Sequence, residues 1–125
     1  MMIKKYFKKI EKSLDNHSHI IEDQIIKTNT FADDKGSIEG EVFFIDETTL
    51  NFMEVVNTNK TKKEKYKYHY MDKDNQLIFR YDNAQHHRDL KTFPHHKHTE
   101  NGVEESKEPS FDIVLNEIEN KLINK

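Results

Sequence analysis

The sequence predicts an α+β fold, in which an antiparallel β-meander of about five or six strands is packed by an N-terminal and a C-terminal helix. Apolar residues recur at helical spacing near both ends of the 125-residue chain and alternate with polar residues between them, and short turn-forming clusters separate the alternating runs. We expect a single domain over residues 1–125, with its core in residues 19–120 and both helices on one face of the sheet. A more open, curled sheet with only the second helix docked is the alternative.

The N-terminal helix is predicted over residues 3–14. Its apolar stripe consists of Ile3, Tyr6, Phe7, Ile10 and Leu14, and lysines at positions 4, 5, 8, 9 and 12 occupy the outer face. These lysines are either the solvated side of a packing helix or an arm that contacts phosphate groups.

Three strands are predicted to follow. The threonines near the end of residues 19–31 and the turn at residues 33–36 favour a strand over a helix there. Residues 37–46 alternate between apolar and polar side chains, and residues 48–58 form a third run. Residues 57–64 form a polar, lysine-rich loop before the next strand.

Residues 66–82 are predicted to form a β-hairpin with a two-residue turn at Asp74 and Asn75. This register pairs Tyr70 with Phe79, Tyr68 with Tyr81, His69 with Arg80, and Lys67 with Asp82. Because side chains alternate along a strand, the two faces then differ. The core face carries Tyr66, Tyr68, Tyr70, Leu77, Phe79 and Tyr81, and the ionisable face carries Lys67, His69, Met71, Ile78, Arg80 and Asp82. A longer turn would instead pair His69 with Tyr81 and split the aromatic residues between the faces.

The C-terminal part of the chain is predicted to contain a mobile segment and a helix. Residues 99–108 are acidic and polar, which is typical of a mobile linker. Pro109 then precedes a helical stripe over residues 110–123, formed by Phe111, Val114, Leu115, Ile118 and Leu122.

Composition excludes several classes of protein. The formal net charge of −3 provides no global basic field, so a nucleic acid would have to bind a local patch. The absence of cysteine excludes disulfides and thiolate metal sites and is consistent with a reducing cytoplasm. No apolar run approaches the roughly 18 residues of a membrane span. We therefore expect a cytoplasmic protein that does not bind the membrane.

Polar chemistry is concentrated in residues 66–98, which contain six of the eight histidines, four of the five tyrosines and both arginines. The distinctive motifs are Tyr66-Lys67-Tyr68-His69-Tyr70, Leu77-Ile78-Phe79-Arg80-Tyr81-Asp82-Asn83-Ala84, His86-His87 and Phe93-Pro94-His95-His96-Lys97-His98. Upstream, Gly36-x-Ile38-x-Gly40-x-x-x-Phe44-x-Asp46 and Leu50-x-Phe52-x-Glu54 accompany them.

These motifs resemble the TumE family of small toxins from toxin–antitoxin modules, over roughly residues 19–120. The sequence departs from the family pattern at Tyr81, where a tryptophan is usual, and at Arg88, where a proline is common. The resemblance implies a toxin held by a cognate antitoxin. The resemblance implies no mechanism, so any chemistry is inferred from the side chains themselves. Whether the chain also forms a homodimer is left open by the sequence.

The first interpretation of the histidine-rich segment is metal-independent RNA cleavage, without a cofactor. A neutral histidine would remove the 2′-hydroxyl proton, an acid would protonate the leaving oxygen, and an arginine would stabilise the charged phosphorane. Histidine suits both proton transfers because it titrates near neutral pH. The candidate catalytic residues are His69, Arg80, Asp82, His86, His87, His96 and His98. The candidate nucleic-acid contacts are Lys67, Arg88, Lys91 and Lys97.

Three other interpretations compete with it. His96 and His98 would lie on one face of a strand, roughly 6.5 to 7 Å apart, and could hold a divalent metal together with Asp82 or His69. Alternatively, the toxin could block a nucleic acid or another cellular target without chemistry, through exposed tyrosines and basic side chains. Finally, the histidines could be structural, and Asp82 and Asn83 could simply end a strand through side-chain turns.

Overall fold

Seven antiparallel strands form one sheet in chain order in the computed structural model, which describes residues 1–85 and 87–124. Helix α1 spans Ile3–Asn16 and is followed by a 3-10 turn at Ser18–Ile20. The strands are β1 (Ile21–Ala32), β2 (Lys35–Phe44), β3 (Thr49–Asn57), β4 (Lys65–Met71), β5 (Leu77–Asp82), β6 (His96–Thr99) and β7 (Gly102–Glu105). Helix α2 (Phe111–Ile123) ends the fold. The predicted α+β class, the meander and the two terminal helices are confirmed.

Both helices pack on one face of the sheet. The stripe of α1 buries Ile3, Phe7, Ile10 and Leu14 in the same apolar cluster as Phe111, Val114, Leu115 and Ile118 of α2. The sheet contributes Tyr66, Tyr68, Tyr70, Phe79 and Tyr81 to this cluster. Helix α2 begins at Ser110, whose hydroxyl caps the backbone N–H of Ile113 at 3.1 Å. The alternative with only the second helix docked is therefore wrong.

The hairpin of β4 and β5 has the predicted pairing but a different turn. Tyr70 faces Phe79, His69 faces Arg80, and Lys67 faces Asp82. The turn is longer than two residues, because the backbone N–H of Asp72 bonds to the carbonyl of Gln76 and Asn75 adopts a φ of 62°. A register shift between Tyr70 and Met71 adds one residue on β5 and so restores the predicted pairing.

This bulge also changes the side-chain assignment at the start of β5. Ile78, predicted on the ionisable face, packs against the core cluster, whereas Leu77 stands opposite Met71. The predicted assignment of Ile78 to the ionisable face is therefore wrong. The cause is the bulge, in which Ile78 is the extra residue of β5 and has no partner on β4.

A seventh strand forms where the sequence predicted a mobile linker. Strand β7 pairs with β6, so that His98 faces Val103 and His96 faces Glu105. Its exposed, acidic side chains explain why alternation alone did not reveal it.

A buried carboxylate joins α1 to the sheet. Glu54 on β3 is fully buried and accepts hydrogen bonds from the hydroxyls of Tyr6 on α1 and Tyr68 on β4, the latter at 2.6 Å. Burial raises the pKa of the Glu54 carboxyl, and this effect is partly offset by Lys63 and by the two hydroxyls.

Neither described helix combines the length and the apolar character that crossing a membrane requires.

Candidate functional site

The sheet face opposite the helices carries two rows of ionisable side chains, and we call this face the open face. In the first row, Arg80 on β5 stands between His69 on β4 and His98 on β6. In the second row, Asp82 stands between Lys67 and His96. Neighbouring strands lie about 4.8 Å apart, so the backbones of His69 and His98 are roughly 10 Å apart with Arg80 between them.

The carboxylate of Asp82 contacts three of the ionisable side chains in these rows. Its Oδ1 accepts a hydrogen bond from the backbone N–H of Ala84 at 3.0 Å and lies 2.7 Å from Nε2 of His96. Its Oδ2 accepts a hydrogen bond from Nε of Arg80 at 2.9 Å and lies 3.9 Å from Nε2 of His98. The bond to Ala84 is the strand-ending turn that the structural interpretation predicted. The other three contacts orient the ionisable side chains.

His96 is held from both sides of its ring. Its Nδ1 lies 2.9 Å from the carbonyl oxygen of Pro94, which can only accept a hydrogen bond, and its Nε2 faces the carboxylate of Asp82. Both contacts are hydrogen bonds when each ring nitrogen carries a proton. The side chain is only 2% exposed, so His96 contacts Asp82 from the buried side of the cluster.

His87 closes the cluster from the loop between β5 and β6. Its ring lies 4.9 Å from that of His96 and 5.7 Å from that of His98, measured between centroids. One ring nitrogen from each of these three histidines lies within 4.8 Å of the other two, which is compatible with a bound divalent metal. Both nitrogens of His96 are already engaged, so a metal there would have to displace the contact with Pro94 or the contact with Asp82.

The surroundings of His69 lower the pKa of its imidazole. Burial lowers the pKa of His69, and the neighbouring charges of Arg80 and Lys67 lower it further. Its Nδ1 is buried and has no hydrogen-bond partner among the described residues. Because Nδ1 is shielded from solvent, a ligand on the open face would have to meet the other ring nitrogen, Nε2.

His98 lies in a more mixed environment. Burial lowers the pKa of its imidazole, whereas the carboxylate of Asp82 raises it. The side chain is 29% exposed and can therefore reach a ligand on the open face.

The remaining predicted residues are distributed differently. Lys67 lies on the open face in the row of Asp82. Arg88 and Lys91 are exposed in the β5–β6 loop, where the guanidinium of Arg88 lies 5.8 Å from the ring centre of Phe93. Lys97 lies on the helix face, where its amine bonds to Glu117 of α2 at 3.0 Å. His86 lies outside the described residues.

The sequence did not indicate that the Pro94 carbonyl oxygen would lie within hydrogen-bonding distance of the His96 ring. A backbone acceptor leaves no signal in residue identities, because every residue carries one. The metal-site interpretation placed Asp82 near His96 and His98, but the sequence did not indicate that Arg80 would bond to the same carboxylate.

Taken together, the helix-packed meander and its histidine–arginine surface define a small α+β protein with a candidate phosphate-binding face. In comparisons with known proteins, the family model described as Toxin TumE matches residues 10–122. The chain therefore belongs to the TumE toxin family, as a toxin component that implies an antitoxin partner. The comparisons found no significant match among curated proteins or among solved structures.

Proposed function

We propose that this toxin is a metal-independent endoribonuclease whose active site is the row of His69, Arg80 and His98. The observation that carries the proposal is that two histidines flank one arginine on adjacent strands. Cleavage of RNA through its own 2′-hydroxyl needs a base, an acid and a cation for the phosphorane, and this row offers all three. The RNA and the antitoxin would meet the toxin in the cytoplasm.

His69 acts as the base in this mechanism. It takes the proton of the 2′-hydroxyl, the 2′-oxygen attacks phosphorus, and the bond from phosphorus to the 5′-oxygen breaks. Burial and then the positive charges of Arg80 and Lys67 lower the pKa of His69, which favours the neutral form that a base needs before the reaction.

His98 acts as the acid and donates a proton to the leaving 5′-oxygen. The carboxylate of Asp82 stabilises the imidazolium form of His98, and a bound phosphate would stabilise it further. The products are a 2′,3′-cyclic phosphate and a 5′-hydroxyl, so atoms and protons balance without water in this step.

Arg80 holds the phosphate and stabilises the charge of the phosphorane. Its Nε is bonded to Asp82, which directs the guanidinium along the open face. Asp82 and His96 are thus positioning residues, since they act through Arg80 and His98. Lys67, Arg88 and Lys91 are candidates for further contacts with RNA phosphates.

The direct test is to incubate the purified chain with a mixed-sequence RNA in excess chelator and to identify the new ends. We expect 2′,3′-cyclic phosphate and 5′-hydroxyl ends from the wild type and none from His69→Ala or His98→Ala. Ends with a 3′-hydroxyl and a 5′-phosphate would overturn the mechanism. Binding of RNA without cleavage would favour the alternative of a non-enzymatic toxin.

A metal-dependent nuclease is the second candidate, and the grouping of His87, His96 and His98 favours it. Its test is metal analysis of the purified chain for zinc, manganese and nickel, with activity measured before and after chelation. A stoichiometric metal whose removal abolishes cleavage would replace the first mechanism by the second. We expect activity to survive chelation.

A further inference from the structure

The two edges of the sheet are protected to different degrees. Strand β7 has four residues and carries Glu104 and Glu105, so that edge is short and charged. Strand β1 has twelve residues, nearly all of them exposed, and forms the other edge. Natural proteins seldom leave a long strand edge open, because its unpaired N–H and C=O groups readily pair with another strand.

The backbone of β1 is regular where it could pair. Register shifts occur near both of its ends, between Ile21 and Asp23 and between Thr30 and Ala32. The run from Asp23 to Thr30 pairs with β2 without interruption. Pairing with another strand could therefore use this run.

One contact shows which backbone groups point outward. The N–H of Gln24 bonds to Oδ1 of Asp23 at 2.8 Å, and so it is not used for pairing with β2. Backbone groups alternate in direction along an antiparallel strand, so the N–H groups of Ile26 and Thr28 point the same way. The outer edge of β1 thus offers backbone N–H donors at every second residue. The first of these, the N–H of Gln24, is bonded to the Asp23 carboxylate.

The side chains of this run are self-complementary. Asp23, Ile25 and Lys27 lie on the open face, opposite Phe43, Glu41 and Glu39 of β2. All three are exposed, Ile25 by 62%. An acid, an apolar residue and a base thus stand at equal spacing, with the apolar residue in the middle.

We propose that β1 pairs with β1 of a second copy of this chain, in antiparallel orientation about a two-fold axis at Ile25. Ile25 then meets Ile25 of the second copy, and each Asp23 faces Lys27 of the other chain. Gln24 and Ile26 exchange backbone hydrogen bonds across the interface, which releases Asp23 from Gln24 to pair with Lys27. Interfaces of this isologous kind are the commonest in homo-oligomers.

The neighbouring registers fit less well. A shift that centres the axis on Lys27 places two lysines against each other, and one that centres it on Ile26 places Ile25 against Lys27. Only the axis at Ile25 yields two opposite-charge pairs, which stabilise directly opposed positions, whereas like charges there destabilise.

The proposed dimer has a consequence for the open face. A two-fold axis perpendicular to the sheet turns each open face onto the same side of the assembly. The two seven-stranded sheets would then form one continuous fourteen-stranded sheet, which presents both rows of His69, Arg80 and His98 in the same direction. This holds whether or not the row cleaves RNA.

The test is sedimentation velocity of the full chain over a range of concentrations. We expect the wild type to dimerise and Asp23→Lys to be monomeric, because its new lysine faces Lys27 of the second copy. Lys27→Asp should also be monomeric, because its new carboxylate faces Asp23 of the second copy. The double variant Asp23→Lys with Lys27→Asp should dimerise again, since the exchange restores both opposite-charge pairs.

Glu104→Lys on the opposite edge is the matched control and should remain dimeric, and circular dichroism should show that every variant is folded. A wild type that is monomeric at all concentrations, including one that associates only with its antitoxin, would overturn the proposal. The proposal would also be overturned if either single substitution left the dimer intact, if the double variant did not restore the dimer, or if Glu104→Lys dissociated it.

Discussion

At the scale of single residues, the histidines of this chain have distinct roles. His17 is buried, and its ring bonds to the carbonyl of Ser13 and to the side chain of Asn116, so it joins the two helices. His96 is equally buried, but its ring bonds to a carboxylate that also holds an arginine. His69 and His98 are partly exposed on either side of that arginine. These environments, and not the residue type, are the reason why the proposed mechanism assigns proton transfer to His69 and His98.

The faces of the hairpin predict opposite effects of substitution. His69→Ala and Arg80→Ala should be folded and non-toxic, with melting temperatures within a few degrees of the wild type, because both side chains are partly exposed. Tyr68→Ala and Phe79→Ala should lose on the order of 3 to 5 kcal/mol of stability, because both rings are buried. Thermal melts and growth assays of the four variants would check this. Destabilised His69 and Arg80 variants beside stable but inactive Tyr68 and Phe79 variants would contradict it.

The proposed pair of histidines predicts a bell-shaped pH profile for RNA cleavage. The acid limb of kcat/KM follows deprotonation of His69 and the basic limb follows deprotonation of His98. The pKa of each lies below the ordinary histidine value of 6.5 in the free protein, so the optimum is expected on the acid side of that pH. Asp82→Asn removes the charge that raises the pKa of His98, and should move the basic limb to lower pH. A basic limb that Asp82→Asn leaves in place would argue against His98 as the acid.

At the scale of elements, polar contacts decide how helices and strands join. Tyr6 connects α1 to Glu54 of β3, and Tyr68 connects β4 to the same carboxylate. Lys97 of β6 and Tyr81 of β5 both bond to Glu117 of α2. The apolar stripes bring the helices to the sheet, and these bonds select one position for each helix on it.

Glu54 predicts a measurable dependence of stability on pH. Its pKa is raised above 4.5 in the folded protein, so the folded state holds the proton more tightly than the unfolded state does. This contribution to stability is fully present below pH 4.5 and is lost as the pH rises through the raised value. Urea unfolding from about pH 4 to about pH 8 should show this loss in the wild type and not in Glu54→Gln. An identical pH dependence of the two proteins would contradict the raised pKa.

Glu54→Leu is the contrasting substitution at this position. It removes the acceptor and leaves two tyrosine hydroxyls in the core without a partner. Each unsatisfied hydroxyl costs about 1 to 3 kcal/mol, so Glu54→Leu should be clearly less stable than Glu54→Gln at every pH.

At the scale of the whole molecule, the sheet separates the packed core from the proposed site. The helices and the aromatic core occupy one face, and the ionisable rows occupy the other. The exposed lysines of α1 therefore lie on the side of the sheet away from His69, Arg80 and His98. This arrangement makes them the solvated side of a packing helix and not part of the proposed site.

Membership of the toxin family predicts growth arrest when this chain is expressed alone. Co-expression of the adjacent antitoxin should restore growth, because the family implies that the two proteins form a pair. His98→Ala, confirmed as soluble, is the matched control and should permit growth without the antitoxin. Normal growth at confirmed soluble expression of the wild type would contradict the assignment as a toxin.

The sequence by itself determined the helices, most of the strands and the pairing of β4 with β5, because helical spacing and two-residue alternation are local signals. It also predicted that His69 and Arg80 would be cross-strand neighbours. Only the tertiary structure decided that β6 lies beside β5 and brings His98 to Arg80 and His96 to Asp82. The acidic strand β7, the bulge at Ile78 and the burial of Glu54 were likewise decided by the tertiary structure. Each of these features depends on contacts between residues distant in the chain. The alternation of side chains within one segment gives no information about which other segments lie beside it.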